Sequence, residues 1–275
     1  MIPDPPGRTI GQAFAPFVPF AGSVIQSVPV ALISTTSMPT THPPNATGMA
    51  LDMGCLSETL LQFYDQLFHQ YGPQHWWPAQ TRFEVIVGAI LTQSVAWSNV
   101  ERAIAHLKAA QALEPAALDA LPMDELARCI RPAGYYNAKA RKIQAFVAHL
   151  RERYRYDLEA LLSREIQPLR QELLSLHGIG PETADSIILY AAGQPVFVID
   201  AYTRRLFSRL GLVSDTINYD DLQDILEGNL PREVPLFQEY HALIVQHGKS
   251  VCRKQPLCTD CCLRSLCGSR PSENH

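Results

Sequence analysis

From Leu60 to Ile244 apolar residues recur at three- and four-residue spacing, and a chain patterned in this way buries them by stacking helix on helix. The first stripe, Leu60, Leu61, Tyr64, Leu67, Phe68 and Tyr71, is closed by Gly72 and Pro73. Phe83 to Leu91 is apolar almost all round, a length that a strand would also fit. The helical spacing that continues through Val100, Ile104 and Leu107 favours a pair of buried helices. Further stripes follow at Met123 to Ile130, Ile143 to Leu150, Leu169 to Leu176, Ile187 to Ala191, Tyr202 to Leu210, Leu222 to Leu226 and Leu236 to Ile244. The strand-like run Val196 to Ile199 is too short to argue for a sheet, and without a repeat of fixed period the chain is not a solenoid. The expectation is a compact all-α protein.

Residues 1–49 hold nine of the 21 prolines, with Asp4 and Arg8 as their charges, so no packed helix is expected there. Pro16, Pro19 and Pro29 interrupt the apolar stretch Phe14 to Ile33 and rule it out as an ordinary membrane-spanning helix. Two readings stand: a disordered extension, or a start called too early, with Met49 or Met53 directly before the first convincing helix.

Leu176-His177-Gly178-Ile179-Gly180-Pro181 lies between two helical stripes, and Pro181 suits a first helical position. Gly178 and Gly180 permit positive φ and leave the backbone unshielded, so N–H groups opening the second helix can approach a phosphate. Such contacts hold a DNA backbone without reading its sequence. A plain turn between helices is the alternative. Downstream, Asp200 follows an apolar run and opens a stripe, the position of an N-cap.

Five of the seven cysteines fall between Cys252 and Cys267, while Cys55 and Cys129 stand apart. This crowding suggests a metal site in a reducing compartment more than a disulfide framework. Cys252, Cys258, Cys261 and Cys267 give the spacing C-x5-C-x2-C-x5-C, with Cys262 an alternative to Cys261. Structural four-cysteine zinc sites usually use two tight hooks, and this loop has one, which favours iron and sulfur over zinc. The net charge of −4 provides no global attraction for a polyanion. Around the cysteines, however, Lys249, Arg253, Lys254, Arg264 and Arg270 face only Asp260 and Glu273. That local patch is either phosphate-steering or a solvated basic tail.

Several motifs in order then carry a resemblance. LHGIGPETA (Leu176 to Ala184) followed by VIDAY (Val198 to Tyr202) resembles the helix-hairpin-helix, Gly/Pro-rich loop and aspartate of the endonuclease III superfamily of DNA glycosylases. FEVIVGAILTQ (Phe83 to Gln93) and GYYNAKA (Gly134 to Ala140) are similar to helices beside the DNA-binding cleft of that family, and the likeness runs from about Trp76 to Cys267.

The resemblance implies a two-lobed fold, with 50–80 and 195–250 forming one helical lobe, 81–194 a helical-barrel lobe, and 251–268 a loop holding a [4Fe-4S] cluster on Cys252, Cys258, Cys261 and Cys267. It implies Asp200 as the catalytic carboxylate, and DNA contacts from Gly178, Ile179, Gly180 and Lys249. By the same resemblance Gln93 and Tyr135 are expected to probe or wedge the vacated base stack, with a helix-end hydrogen bond for Gln93 and packing against the core for Tyr135 as the alternatives. Bifunctional members carry a Schiff-base lysine where this chain has Glu182, so a monofunctional glycosylase is expected. Lys139, Lys142 and Lys249 are substitute amines only if the cleft differs, and otherwise surface or phosphate-contacting lysines.

WWP (Trp76 to Pro78) with LTQ-x3-W (Leu91 to Trp97) resembles the 3-methyladenine glycosylase III branch. It implies a base pocket of Trp76, Trp77, Trp97 and Glu182 for cationic alkylated purines, which indoles bind by stacking and cation–π attraction. The expected partner is double-stranded DNA containing a damaged base. No membrane is involved, and a monomeric protein of the cytoplasm, associated with the nucleoid through DNA, is expected. A bifunctional glycosylase/lyase for oxidised pyrimidines and a non-catalytic DNA-binding iron–sulfur module are the alternatives.

Overall fold

A computed structural model describes residues 53–269, with side chains from Cys55 onward; the readings of 1–49 lie outside the described residues. Twelve α-helices follow one another among them: α1 Met53–Tyr71, α2 Arg82–Leu91, α3 Trp97–Ala109, α4 Pro115–Ala120, α5 Met123–Cys129 and α6 Tyr136–Tyr154, then α7 Leu158–Leu162, α8 Ile166–Leu174, α9 Pro181–Ser186, α10 Ala201–Leu210, α11 Tyr219–Asn229 and α12 Val234–Ser250. The fold is all-α, no strand occurs among the described residues, and no helix there is long and apolar enough to cross a membrane.

Two hydrophobic cores form. One gathers Phe83 to Val196 around Ile86, Ile90, Leu107, Phe146 and Ile187. The other joins α1, through Leu60, Phe63 and Leu67, to Phe197, Phe207, Phe237 and Tyr240. The apolar run of α2 is a helix because every face has a buried neighbour: Phe83 through Leu91 are all buried. Thr81 opens it, its Oγ1 accepting Glu84 N–H at 3.1 Å, while Glu84 Oε2 accepts Gln80 N–H at 3.0 Å, a reciprocal cap.

Val196 to Ile199 is buried, yet it forms neither helix nor strand. Buried backbone groups need partners, and side chains of α11 supply them. Glu227 Oε1 accepts Phe197 N–H at 2.8 Å, Gln223 Nε2 donates to Phe197 O at 2.7 Å, and the Tyr219 hydroxyl accepts Ile199 N–H at 3.3 Å. Held this way, the segment delivers Asp200 to the start of α10 at the boundary between the two cores.

Lys139 differs from its sequence reading as a surface or phosphate-contacting lysine. It is 2% exposed, and its Nζ donates to Leu91 O at 2.8 Å and Ala133 O at 2.7 Å. The ammonium satisfies carbonyls left over at the ends of α2 and of the 3-10 turn Arg131–Ala133. Burial, together with the charge of Lys142, lowers its pKa to about 8.

Candidate active site

Asp200 is the N-cap of α10. Its Oδ1 accepts both the N–H of Thr203 at 2.7 Å and the Thr203 hydroxyl at 2.9 Å. With Oδ1 committed to the cap, Oδ2 is left facing His241 Nε2 at 3.6 Å, and the Asp200 side chain is 11% exposed. Burial pushes the carboxyl upward, but His241 and the two Thr203 donors outweigh it and hold Asp200 below its ordinary value. A charged carboxylate, fixed in orientation, therefore stands at the wall of a cavity of about 760 Å³.

Trp76, Trp77, Trp97, Gln93, Glu182, Asp200 and Lys249 all line that cavity. The indoles pack edge to face: Trp77 lies 5.4 Å from Trp97 at 84° and 5.2 Å from Tyr190 at 61°, centroid to centroid. Gly88 makes room for Trp77, since a Cβ there would stand 3.2 Å from the indole Nε1. Lys249 Nζ lies 5.7 Å from the Trp76 ring centroid; burial lowers its amine while Asp200 opposes the shift. Glu182 is open to solvent at the cleft, and its carboxyl is pushed upward first by desolvation and then by the Asp200 charge.

Gly178, Ile179, Gly180 and Tyr135 do not line the cavity. The hairpin sits beside it, tied by Gln93, whose Nε2 donates to Gly178 O at 3.1 Å and Thr183 Oγ1 at 2.9 Å while Lys142 Nζ donates to its Oε1. Only one of the two hairpin glycines uses positive φ: Gly178 is at +80°, whereas Gly180 is extended at −96° as the cap of α9. The difference arises because α9 begins with Pro181, which pushes its predecessor into extended backbone. Ile179 is a core side chain, and its N–H is spent on Leu176 O at 3.2 Å. Tyr135, 77% exposed and left-handed at φ +44°, stands clear of the core before α6.

Residues 87–232 match the family model described as "HhH-GPD superfamily base excision DNA repair protein". The chain belongs to the HhH-GPD superfamily.

It is a DNA N-glycosylase of that superfamily. It is 47% identical to a candidate DNA repair glycosylase of Methanocaldococcus jannaschii over 78% of this chain and 97% of the relative. It is 31% identical to endonuclease III of Treponema pallidum over 74% of this chain and 92% of the relative. Among solved structures, the 3-methyladenine DNA glycosylase of H. pylori, bound to 1,N6-ethenoadenine, superposes with a TM-score of 0.60 at 26% identity. That match covers 72% of this chain and 98% of the other.

In this HhH-GPD protein the C-terminal cysteines pack on the second core. Cys252, Cys261, Cys262 and Cys267 contribute to it, and Arg209 Nη1 donates to Cys252 Sγ at 3.3 Å. Cys261 Sγ lies 3.5 Å from His247 Nε2, and Cys252, Cys262 and Cys267 are within electrostatic reach of it. Cys258 sits in a 3-10 turn, half-buried, and among the described residues no three side chains are arranged as a ready-made metal-binding group. Four thiols on one short loop, with a guanidinium donating to one sulfur, are a donor set that suits a thiolate-bound cluster.

One cavity residue, His241, escapes a reading of the sequence, as does Tyr190, which packs against it with ring centroids 5.9 Å apart. Both lie inside stripes that read as core, and only the polar character of His241 within Leu236 to Ile244 sets it apart.

Proposed function

We propose that this glycosylase takes a flipped alkylated purine into the cavity and hydrolyses its N-glycosidic bond, leaving an abasic site without cutting the strand. The observation that carries the reading is the wall formed by Trp76, Trp77 and Trp97 in the same cavity as Asp200. A volume of about 760 Å³ lies in the range of small-ligand sites. Indole faces stack on purines, and for a cationic base a desolvated cation–π contact adds roughly 1–2 kcal/mol. An alkylated purine already carries the charge that activates its departure, so the walls need only hold the base while the bond breaks.

As the bond stretches, positive charge builds on the sugar, and the ionised Asp200 opposes it from a fixed position in a water-poor site. The carboxylate of Glu182 cannot form an imine with the opened sugar, which supports hydrolysis without strand cleavage. Gly178, Ile179 and Gly180 would hold the DNA backbone beside the cleft, Tyr135 and Gln93 would enter the vacated stack, and Lys249 would face a phosphate at the rim. Cys252, Cys258, Cys261 and Cys267 would hold a [4Fe-4S] cluster, which supplies a covalent staple for the C-terminal loop.

Duplexes carrying 3-methyladenine, thymine glycol or undamaged bases, scored separately for released base and for nicks, test the reading beside Asp200→Asn. Release of the methylated base without nicks, abolished in the variant, is the expected result. Nicking at thymine glycol would return the protein to the bifunctional branch.

A further inference from the structure

Asp185, on α9, is 0% exposed, and a carboxylate so far from water must be met by donors on both oxygens. Arg170 Nε donates to Oδ1 at 2.8 Å and Arg170 Nη2 to Oδ2 at 3.2 Å. The Tyr219 hydroxyl donates to Oδ2 at 2.8 Å and Gln223 Nε2 to the same oxygen at 2.9 Å. Arg170 stands on α8, which leads into the hairpin, so its bidentate pair with Asp185 fastens the two helices of the hairpin to each other. Tyr219 and Gln223 stand on α11, which belongs to neither of them.

Both α11 side chains have a second end. Gln223 Nε2 also donates to Phe197 O at 2.7 Å, and the Tyr219 oxygen accepts Ile199 N–H at 3.3 Å. Of the three side-chain holds on the segment before Asp200, these two are anchored in α9; the third, Glu227, pairs instead with Arg232 at 3.1 Å. Ile199 directly precedes Asp200, so a movement of its N–H carries the cap of α10 with it. A reacting group displaced by about 1 Å can cost about 100-fold in rate. Stability alone would be served by the Arg170 pair, or by an apolar pair in its place, and would not call for two relays ending beside Asp200.

We propose that Asp185, acting through Tyr219 and Gln223, is a positioning residue for Asp200. The carboxylate that closes the hairpin also holds, across α11, the segment that carries Asp200, and so keeps that side chain in register with the helix N-terminus beside which the DNA backbone would lie. None of the three lines the cavity, and their effect reaches the reaction only through Asp200. The proposal rests on the reading of Asp200 given above.

Single-turnover base release at saturating enzyme, from the duplex that the wild type processes fastest, is measured for the wild type, Tyr219→Phe, Gln223→Met, the double variant, Asp185→Asn and Asp200→Asn. Affinity for a duplex with an abasic-site analogue and thermal melting are measured beside it, and release is read well below each melting temperature. Each single α11 variant is expected to slow release about tenfold and the double variant about 100-fold. Their abasic-duplex affinity should stay within about threefold of the wild type. Asp185→Asn leaves Arg170 unpaired and loosens the hairpin as well, so release and affinity are expected to fall together. Wild-type release by the double variant would overturn the positioning role, as would a rate loss that only follows lost affinity or melting. If the double variant or Asp185→Asn does not fold, wild-type release by Tyr219→Phe and by Gln223→Met overturns it. Full release by Asp200→Asn would instead overturn the reading of Asp200 and the positioning role with it. No release by the wild type from any duplex would remove the glycosylase reading itself.

Discussion

Gln93 Nε2 donates to the carbonyl of Gly178 at 3.1 Å, across 85 positions of chain, and fastens the end of α2 to the hairpin. The same side chain bonds Thr183 and Lys142. Gln93→Ala is expected to lower stability by about 1–3 kcal/mol, since partly buried partners lose their bonds, and to weaken binding of an abasic duplex. Denaturant melts and a titration with that duplex check it; unchanged affinity would mean that the hairpin holds its shape without this tie.

Trp77 stands against Gly88, where an added Cβ would come within 3.2 Å of the indole nitrogen. Neighbouring side chains are in close contact, so the indole must move. Gly88→Ala is expected to reduce base release several-fold, with a smaller effect on affinity for undamaged duplex, read by single-turnover release and by binding. Equal losses in both would place Trp77 outside base recognition.

Glu182 shares the cavity with Asp200. If its carboxylate is what withholds strand cleavage, Glu182→Lys should gain a covalent complex with abasic DNA on borohydride reduction, where the wild type has none. Failure to trap in a folded variant would mean that position 182 does not reach the sugar.

Lys139 carries a pH signature. Its folded pKa of about 8 lies below the ordinary 10.5, so the unfolded chain binds more protons between those values. The cost of the buried charge is present in full below about pH 8 and is relieved as pH rises towards 10.5; the Lys139 contribution to stability therefore increases with pH in that window. Melts of the wild type and Lys139→Met should differ by this slope, and parallel profiles would contradict it.

Arg209 binds the cysteine loop through Arg253 O at 2.6 Å, Lys254 O at 2.9 Å and Cys252 Sγ at 3.3 Å. A planar fork of donors is needed for all three. Arg209→Lys and Arg209→Ala are both expected to lower bound iron per chain and melting temperature, the alanine more. Full iron with unchanged melting in both would show that the loop is held by its sulfurs alone.

Much of this architecture is legible in the sequence. Apolar spacing identifies the helices, because a helix repeats its buried face within a few residues, and the run Phe83 to Leu91 reads correctly once its neighbours are included. The motif order around Gly178 and Asp200 points to the superfamily, since a turn, a cap and a proline are local features written in consecutive residues. What joins distant positions is not written locally. Lys139 looks like any helical lysine until the ends of two elements bring carbonyls to it, and Gly180 looks as free as Gly178 until Pro181 fixes it. Tyr190 and His241 are ordinary members of apolar stripes, and only tertiary packing brings their polar atoms together, because an orphan nitrogen is defined by which neighbours are absent in space. The sequence by itself determined the helices and the family; the tertiary structure decided which side chain faces Asp200, because that partner lies 41 positions away and meets it only when α12 packs on α10.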